Sequence, residues 1–208
     1  MLLLITLIIV IAVPLALKVM SRRMDSRRCR RIITAVLICY AAVVLYLTLV
    51  SRSYYASVRI VLDPFVVYRR LIQAVKAAAG SGGWQAALKR LVNNPWVKDN
   101  IVPNILLLLP LGYLLPAAGT CLADAQVKQA GLADAPAKQA SRADAQERGS
   151  WLTRRWYGLL LVGLLASALI ETLQLVLHLG VFDAADLMHN TIGALIGYWV
   201  YCLIIRKG

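Results

Sequence analysis

Acid is scarce in this chain. Ten Asp and Glu residues stand against 23 Lys and Arg, a formal charge of +13. Cysteine is scarcer still. The four present (Cys29, Cys39, Cys121 and Cys202) form no C-x-x-C pair, which excludes the common zinc and thiol-redox motifs. No Lys or Arg precedes the first apolar run, Leu2 to Leu17, and no small-residue cleavage site follows it. That order is the reverse of a cleavable secretory signal and predicts a retained helix with its N-terminus outside. No serine-nucleophile motif and no phosphatase-like cluster of Arg or His is present. No stretch is long and mixed enough in composition to build a soluble core of its own.

Apolar residues in blocks fill the place of these features. The apolar share is 60%, above the roughly 45–50% of soluble domains, and mean hydropathy is +0.69. The excess gathers into runs of about 18–25 residues, the length a bilayer-spanning helix needs. The pattern predicts an all-α, multi-pass cell-membrane protein with a single membrane domain over 1–208. Its roughly five transmembrane helices would be Leu2–Met20, Ile32–Val50, Ile101–Ala118, Tyr157–Leu179 and Leu187–Ile205. Pro103, Pro110 and Pro116 predict a bend or break in the third. Lys18, Arg22, Arg23, Arg27, Arg28, Arg30 and Arg31 crowd the first short loop beside the single acid Asp25. That loop, and with it the C-terminus, is therefore expected to be cytoplasmic. Basic residues that flank apolar blocks point to anionic headgroups as partners rather than to nucleic acid.

The segments between the spans differ in kind. Ile60–Phe65 reads as extended, with a turn at Asp63-Pro64. Val66, Val67, Leu71, Ile72 and Val75 then recur at helical spacing among Arg69, Arg70 and Lys76, which predicts an amphipathic helix lying on the membrane surface after helix 2. Gly80-Ser81-Gly82-Gly83 should break it, and a second short helix is expected over Trp84–Val92. The loop 119–156 is expected to be cytoplasmic. Within it, 123–150 holds a repeat of period ten, ADAQVKQA, ADAPAKQA and ADAQ, too polar to bury a core and expected to be a disordered or loosely helical insert. Trp151, Trp156, Tyr198, Trp199 and Tyr201 fall where an aromatic belt would sit at the inner interface.

The chemistry collects on the last two helices. Gly163, Ser167, Glu171, Gln174 and His178 are spaced 4, 4, 3 and 4 and so share one helical face. An ionised carboxyl at the centre of a span costs about 2.5–3.5 kcal/mol on insertion scales, which makes Glu171 a candidate functional group. The competing reading is a neutral Glu171 hydrogen-bonded across helices to hold the bundle. Asp186, Asn190, Gly193, Gly197 and Tyr201 form a second stripe, spaced 4, 3, 4 and 4. Gly193-x-x-x-Gly197 is a small-residue packing seam, usable within the chain or against a second copy. A short loop would set the two helices antiparallel, with His178 near Asp186, Gln174 near Asn190, and Glu171 deepest and facing the glycines. Asp183 joins them from the loop. Glu171, Asp183 and Asp186 are the catalytic candidates. Asn104, Glu171, Gln174, His178, Asp183, Asp186 and Asn190 are the ligand-binding candidates. Asp183 or Asp186 could instead be the N-cap of the last helix, and Asn104, which shares a face with Asn100, could be a cap as well. His178 and His189 with the acids match no trusted metal spacing, so neither a metal nor a cofactor is expected.

These residues resemble the VanZ-like family of small membrane proteins. The similarity runs through Asn104-Ile-Leu-Leu-Leu-Leu-Pro110-Leu-Gly112, Glu171-Thr-Leu-Gln174 and Phe182-Asp183-Ala-Ala-Asp186-Leu-Met-His-Asn190-Thr-Ile-Gly193, with Val61-Leu62-Asp63-Pro64-Phe65 upstream. It covers about 60–200, with 123–150 as an insertion. Two positions depart from the family pattern: Gly180 replaces an Arg, and Ala184-Ala185 lies where a further Asp is common. Arg59, Arg69 or Arg70 could supply the missing cation. The resemblance implies an envelope protein, through its namesake linked to teicoplanin-type glycopeptide resistance without remodelling of peptidoglycan precursors. The leading expectation is non-catalytic binding of a lipid-linked cell-wall intermediate or lipoglycopeptide at the outer leaflet. Two alternatives stand beside it. One is a membrane-embedded enzyme with Glu171 as base and Asp183 and Asp186 positioning a cation or water. The other is a proton-coupled transporter or accessory subunit, for which so few helices without an inverted repeat make a small scaffold.

Overall fold

The computed structural model describes residues 8–24, 26–54, 56, 59–130 and 155–206, and these are mostly helical. A π-turn at Ile8–Ala12 leads into α1 (Val13–Arg23), with Pro14 in its first turn, where a missing N–H costs nothing. Next comes α2 (Ser26–Leu45), extended by a π-turn at Tyr46–Val50. The strand β1 (Ile60–Val61) precedes α3 (Val66–Val92). A π-turn at Val97–Ile101 opens α4 (Val102–Ala130). α5 (Trp156–Val176), β2 (Phe182–Asp183) and α6 (Ala184–Val200) follow, and α6 runs on as a π-turn at Tyr201–Arg206. The two strands pair in parallel, Ile60 opposite Phe182 and Val61 opposite Asp183.

Among the described residues, four stretches are long and apolar enough to cross a membrane: Arg28–Val50, Val97–Gly119, Trp156–Val176 and Ala184–Ile204. Val10–Met20 is a shorter apolar helix, and its expected start at Leu2 lies outside the described residues. Residues 123–130 of the repeat carry α4 onward as helix, while 131–150 lie outside the described residues. α3 has no buried residue and breaks at Gly82 and at Gly83, whose φ of 69° is left-handed, so the glycine-rich break is where the composition places it.

α4 packs against α2 on one side and α6 on the other. The contact with α6 is backbone on backbone. A Cβ on Gly193 would lie 2.0 Å from the Ile105 carbonyl oxygen, one on Gly197 2.0 Å from that of Leu109, and one on Gly112 2.0 Å from that of Ala194. The glycine seam therefore faces α4, not the Glu171 face of α5 as expected. On the α5 side Gly163 makes the close approach, where an added Cβ would lie 2.9 Å from Ala194 Cβ. Small residues thus line both faces of α6, and the two neighbours divide them. α4 runs through Pro110 and Pro116 without the expected interruption. Pro110 has no N–H to give back along the helix, and beside it the Leu107 carbonyl accepts from Tyr40 Oη of α2 at 2.6 Å.

Leu109, Tyr113, Leu114, Leu159, Tyr198 and Tyr201 form the main buried cluster with Leu17, Cys29 and Ile33. Tyr198 and Tyr201 are thus core residues, stacked 6.3 Å apart, rather than part of a belt. Tyr201 continues the Gly193–Gly197 face of α6 and Tyr198 follows Ala194 on the adjoining face, and both rings are covered. Trp156 and Trp199 stay on the outside, at 57% and 67% exposure. Trp151 lies outside the described residues.

Candidate functional site

The site forms where the C-terminal end of α2 and the N-terminal end of α4 meet the α5–α6 turn. α5 stops at Val176, with Leu177 as its cap. His178 takes a left-handed φ of 56°, and the chain closes on the helix through Leu179 N–H to Gln174 O at 2.8 Å and His178 N–H to Leu175 O at 3.2 Å. This is a helix-terminating turn in which glycine is the usual residue. It removes His178 from the α5 stripe to which its spacing assigned it. Its ring lies 5.6 Å from that of Tyr54, and its buried Nδ1 has no hydrogen-bond partner among the described residues.

β2 then sets the register of α6. Phe182 N–H donates to Arg59 O at 3.0 Å, and Asp183 N–H donates to Glu171 Oε2 at 3.2 Å. Asp183 is the N-cap, its Oδ1 accepting from Ala185 N–H at 2.8 Å. α6 therefore begins at Ala184, three residues before the expected Leu187. That shift moves the stripes by about one turn. Asn190 Nδ2 meets Ser167 Oγ at 2.9 Å rather than Gln174. Gln174 crosses to α2 instead and donates to Thr48 O at 2.8 Å. Glu171 lies level with Asp183, not with the glycines.

Asp186 is not the cap. It accepts from Asn104 Nδ2 of α4, and His189 Nδ1 faces its Oδ1 from 4.0 Å, too far for a hydrogen bond. The other side of the His189 ring bonds Tyr68 Oη of α3 through Nε2. A series Tyr68–His189–Asp186–Asn104 thus ties three helices together. Glu171, Gln174, His189 and Asn190 are buried, with Glu171 2% exposed. Asn104, Asp183 and Asp186 are half-buried. The three carboxylates act on one another through their charges.

Charge around the pocket is uneven. Burial pushes the Asp183 carboxyl above its ordinary range against its hydrogen bond from Ala185, and the Asp186 charge adds to the rise. Outside, the Arg69 guanidinium beside Asp63 holds that carboxyl below the ordinary range. Desolvation raises the Tyr68 hydroxyl. Arg69 is thereby engaged with Asp63, and Arg59 contributes its backbone carbonyl to β2. The cation whose charge reaches Glu171 is Arg52, exposed just beyond α2. No local pattern marks Arg52, Thr48, Tyr54 or Tyr68 as site residues. His189 is visible in the sequence only as one of two histidines. An apolar groove of about 420 Å³ at the opposite end, lined by Trp156, Leu195, Tyr198, Trp199, Cys202 and Leu203, holds no carboxyl or imidazole.

Apolar spans closed over a carboxyl-rich polar cluster define a polytopic membrane protein with one buried polar site. The family model for VanZ/LLP1 matches residues 37–205, and the chain belongs to that family. No curated protein and no solved structure matches it.

Proposed function

We propose that this chain is an envelope protein that binds a lipid-linked or amphiphilic ligand at the outer leaflet, through the polar cluster of Asn104, Glu171, Asp183, Asp186 and His189. The observation that carries the reading is that His189 Nδ1 and Asn190 Oδ1 are buried without a hydrogen-bond partner among the described residues. Polar residues that serve only to hold helices together are normally satisfied by one another. A ligand headgroup would complete them while its apolar part stayed in the bilayer. VanZ/LLP1 membership supports an envelope role, and selective protection against lipidated, teicoplanin-type glycopeptides is the biological form we assign to it. A membrane-embedded enzyme is the second reading. The placement of Tyr68, His189 and Asp186 favours it: Tyr68 Oη bonds His189 Nε2, and Nδ1 faces the Asp186 carboxylate from 4.0 Å, so that a movement of about 1 Å would complete an acid–base relay. Turnover of a lipid substrate by the purified protein, absent in His189→Asn, would put that reading first.

The deciding experiment expresses wild type and Glu171→Ala at matched membrane levels in a glycopeptide-susceptible Gram-positive host. Susceptibility is measured to a lipidated and an unlipidated glycopeptide. Wild type should protect against the lipidated drug alone, and Glu171→Ala should not protect. Protection against neither drug by wild type would end the antibiotic reading for this chain.

A further inference from the structure

We infer that the group this pocket recognises is an ammonium, the primary amine of an amphiphile's headgroup. The inference rests on the binding reading above and adds the chemistry of the contact. It comes from counting donors and acceptors. Glu171, Asp183 and Asp186 each accept one hydrogen bond among the described residues, although an ionised carboxylate offers about four lone-pair sites. Asn190 Oδ1 is a buried acceptor with no donor among the described residues. His189 Nδ1, 1% exposed and facing Asp186, has no hydrogen-bond partner among the described residues, and in the tautomer whose Nε2–H donates to Tyr68 Oη it is a second acceptor. The pocket is rich in acceptors and poor in donors. An ammonium is the complementary group, with three donors, no acceptor and a positive charge.

Electrostatics and the neighbouring aromatic rings agree with the count. Three interacting carboxylates in a desolvated place repel one another, and a cation between them offsets that repulsion. Tyr54 and Tyr68 bring aromatic rings beside His178 and His189, the kind of wall on which a cation rests. Arg52 is exposed, and its charge reaches Glu171. A headgroup with its ammonium deep and its phosphate shallow would place the phosphate toward Arg52. An inorganic ion fits less well, because no three His, Cys, Asp or Glu among the described residues stand close enough to hold a metal.

The test uses the full-length protein in detergent and three lipids with the same acyl chains. One carries phosphoethanolamine, one the same headgroup N-acetylated, and one phosphoglycerol. Binding is read by native mass spectrometry and by the shift in melting temperature. The phosphoethanolamine lipid should bind and stabilise. N-acetylation, which removes the charge and keeps the phosphate, should weaken binding at least about tenfold. Asp186→Asn should flatten the preference, but the headgroup series on the unmutated chain decides the matter even if that variant folds poorly. Equal binding of all three lipids would overturn the ammonium assignment and leave amphiphile binding standing. Binding of none would overturn the amphiphile reading itself. Displacement of the lipid by millimolar divalent cation would make this an inorganic cation site and overturn the assignment too.

Discussion

Two residues at the α5–α6 turn show how the site trades stability for position. His178 occupies a left-handed conformation at φ 56° that costs an L-residue with a Cβ about 1–2 kcal/mol and costs glycine almost nothing. His178→Gly should therefore raise unfolding stability by about 1 kcal/mol, read as a higher melting temperature in detergent. If His178 contributes to the site, the same variant loses ligand binding while it gains stability, and a purely structural His178 would lose nothing. Asp183 carries the opposite tension. As N-cap it gains from the free N–H of Ala185, yet burial lifts its carboxyl above the ordinary range. Between the unfolded value and this raised folded value the native state holds the extra proton, so unfolding free energy falls as pH rises. The stability it contributes is full in acid, below the ordinary carboxylate range, and is lost as pH rises through the folded value. Asp183→Asn keeps a capping oxygen and cannot titrate. Melting temperatures measured across pH should show the variant gaining on wild type from acid toward neutral, and parallel curves would show that Asp183 has no raised carboxyl.

At the scale of elements, α6 is held by how closely two neighbours approach it. Gly193 and Gly197 let the α4 carbonyls of Ile105 and Leu109 into the space a Cβ would take. Gly193→Ala puts a methyl 2.0 Å from a backbone oxygen, and a helix cannot move aside as a side chain does. The variant should lose about 1–3 kcal/mol or fail to accumulate. Gly180→Ala, with nothing within 4 Å, should change stability by less than about 0.5 kcal/mol. A small loss at Gly193 in a thermal unfolding series would show that α4 and α6 are not in backbone contact. The sequence pattern showed the seam but not its partner. Spacing reveals which residues share a face of one helix and is silent on which neighbour covers that face. The same limit explains the shifted stripes, because the start of α6 depends on Asp183 capping it and on β1 pairing with β2. A two-residue pairing that joins residues 60 and 182 leaves no local trace.

Over the whole molecule, what was legible is what is local: the apolar spans, the break at Gly82–Gly83, the two polar stripes and the reach of Asn104. Tyr68–His189 and Gln174–Thr48, separated by 121 and 126 residues, were not, since packing alone brings them together. The short Arg-rich turn also sets one end of the molecule apart. The opposite end carries Glu171, Asp183 and Asp186, and beside them the longer segment 51–100 with eight Lys and Arg residues, on which the positive-inside bias acts more weakly than on a short loop. At the Arg-rich end, Arg23, Arg28, Arg30 and Arg31 border the turn from α1 to α2, and Arg155 precedes α5. If the positive-inside bias sets orientation, the carboxyl end faces outward and the arginine end the cytoplasm. A cysteine-free background with single cysteines at Ser53 and at Arg155, both exposed, tests this directly. An impermeant maleimide added to intact cells should label the residue-53 cysteine at once and the residue-155 cysteine only after permeabilisation. Several arginines remain at that end, so Arg155→Cys does not remove the bias it probes. The reverse pattern would put the polar pocket on the cytoplasmic side. A ligand delivered from outside could then reach it only by crossing the bilayer, and the outer-leaflet function would fall whatever the pocket binds.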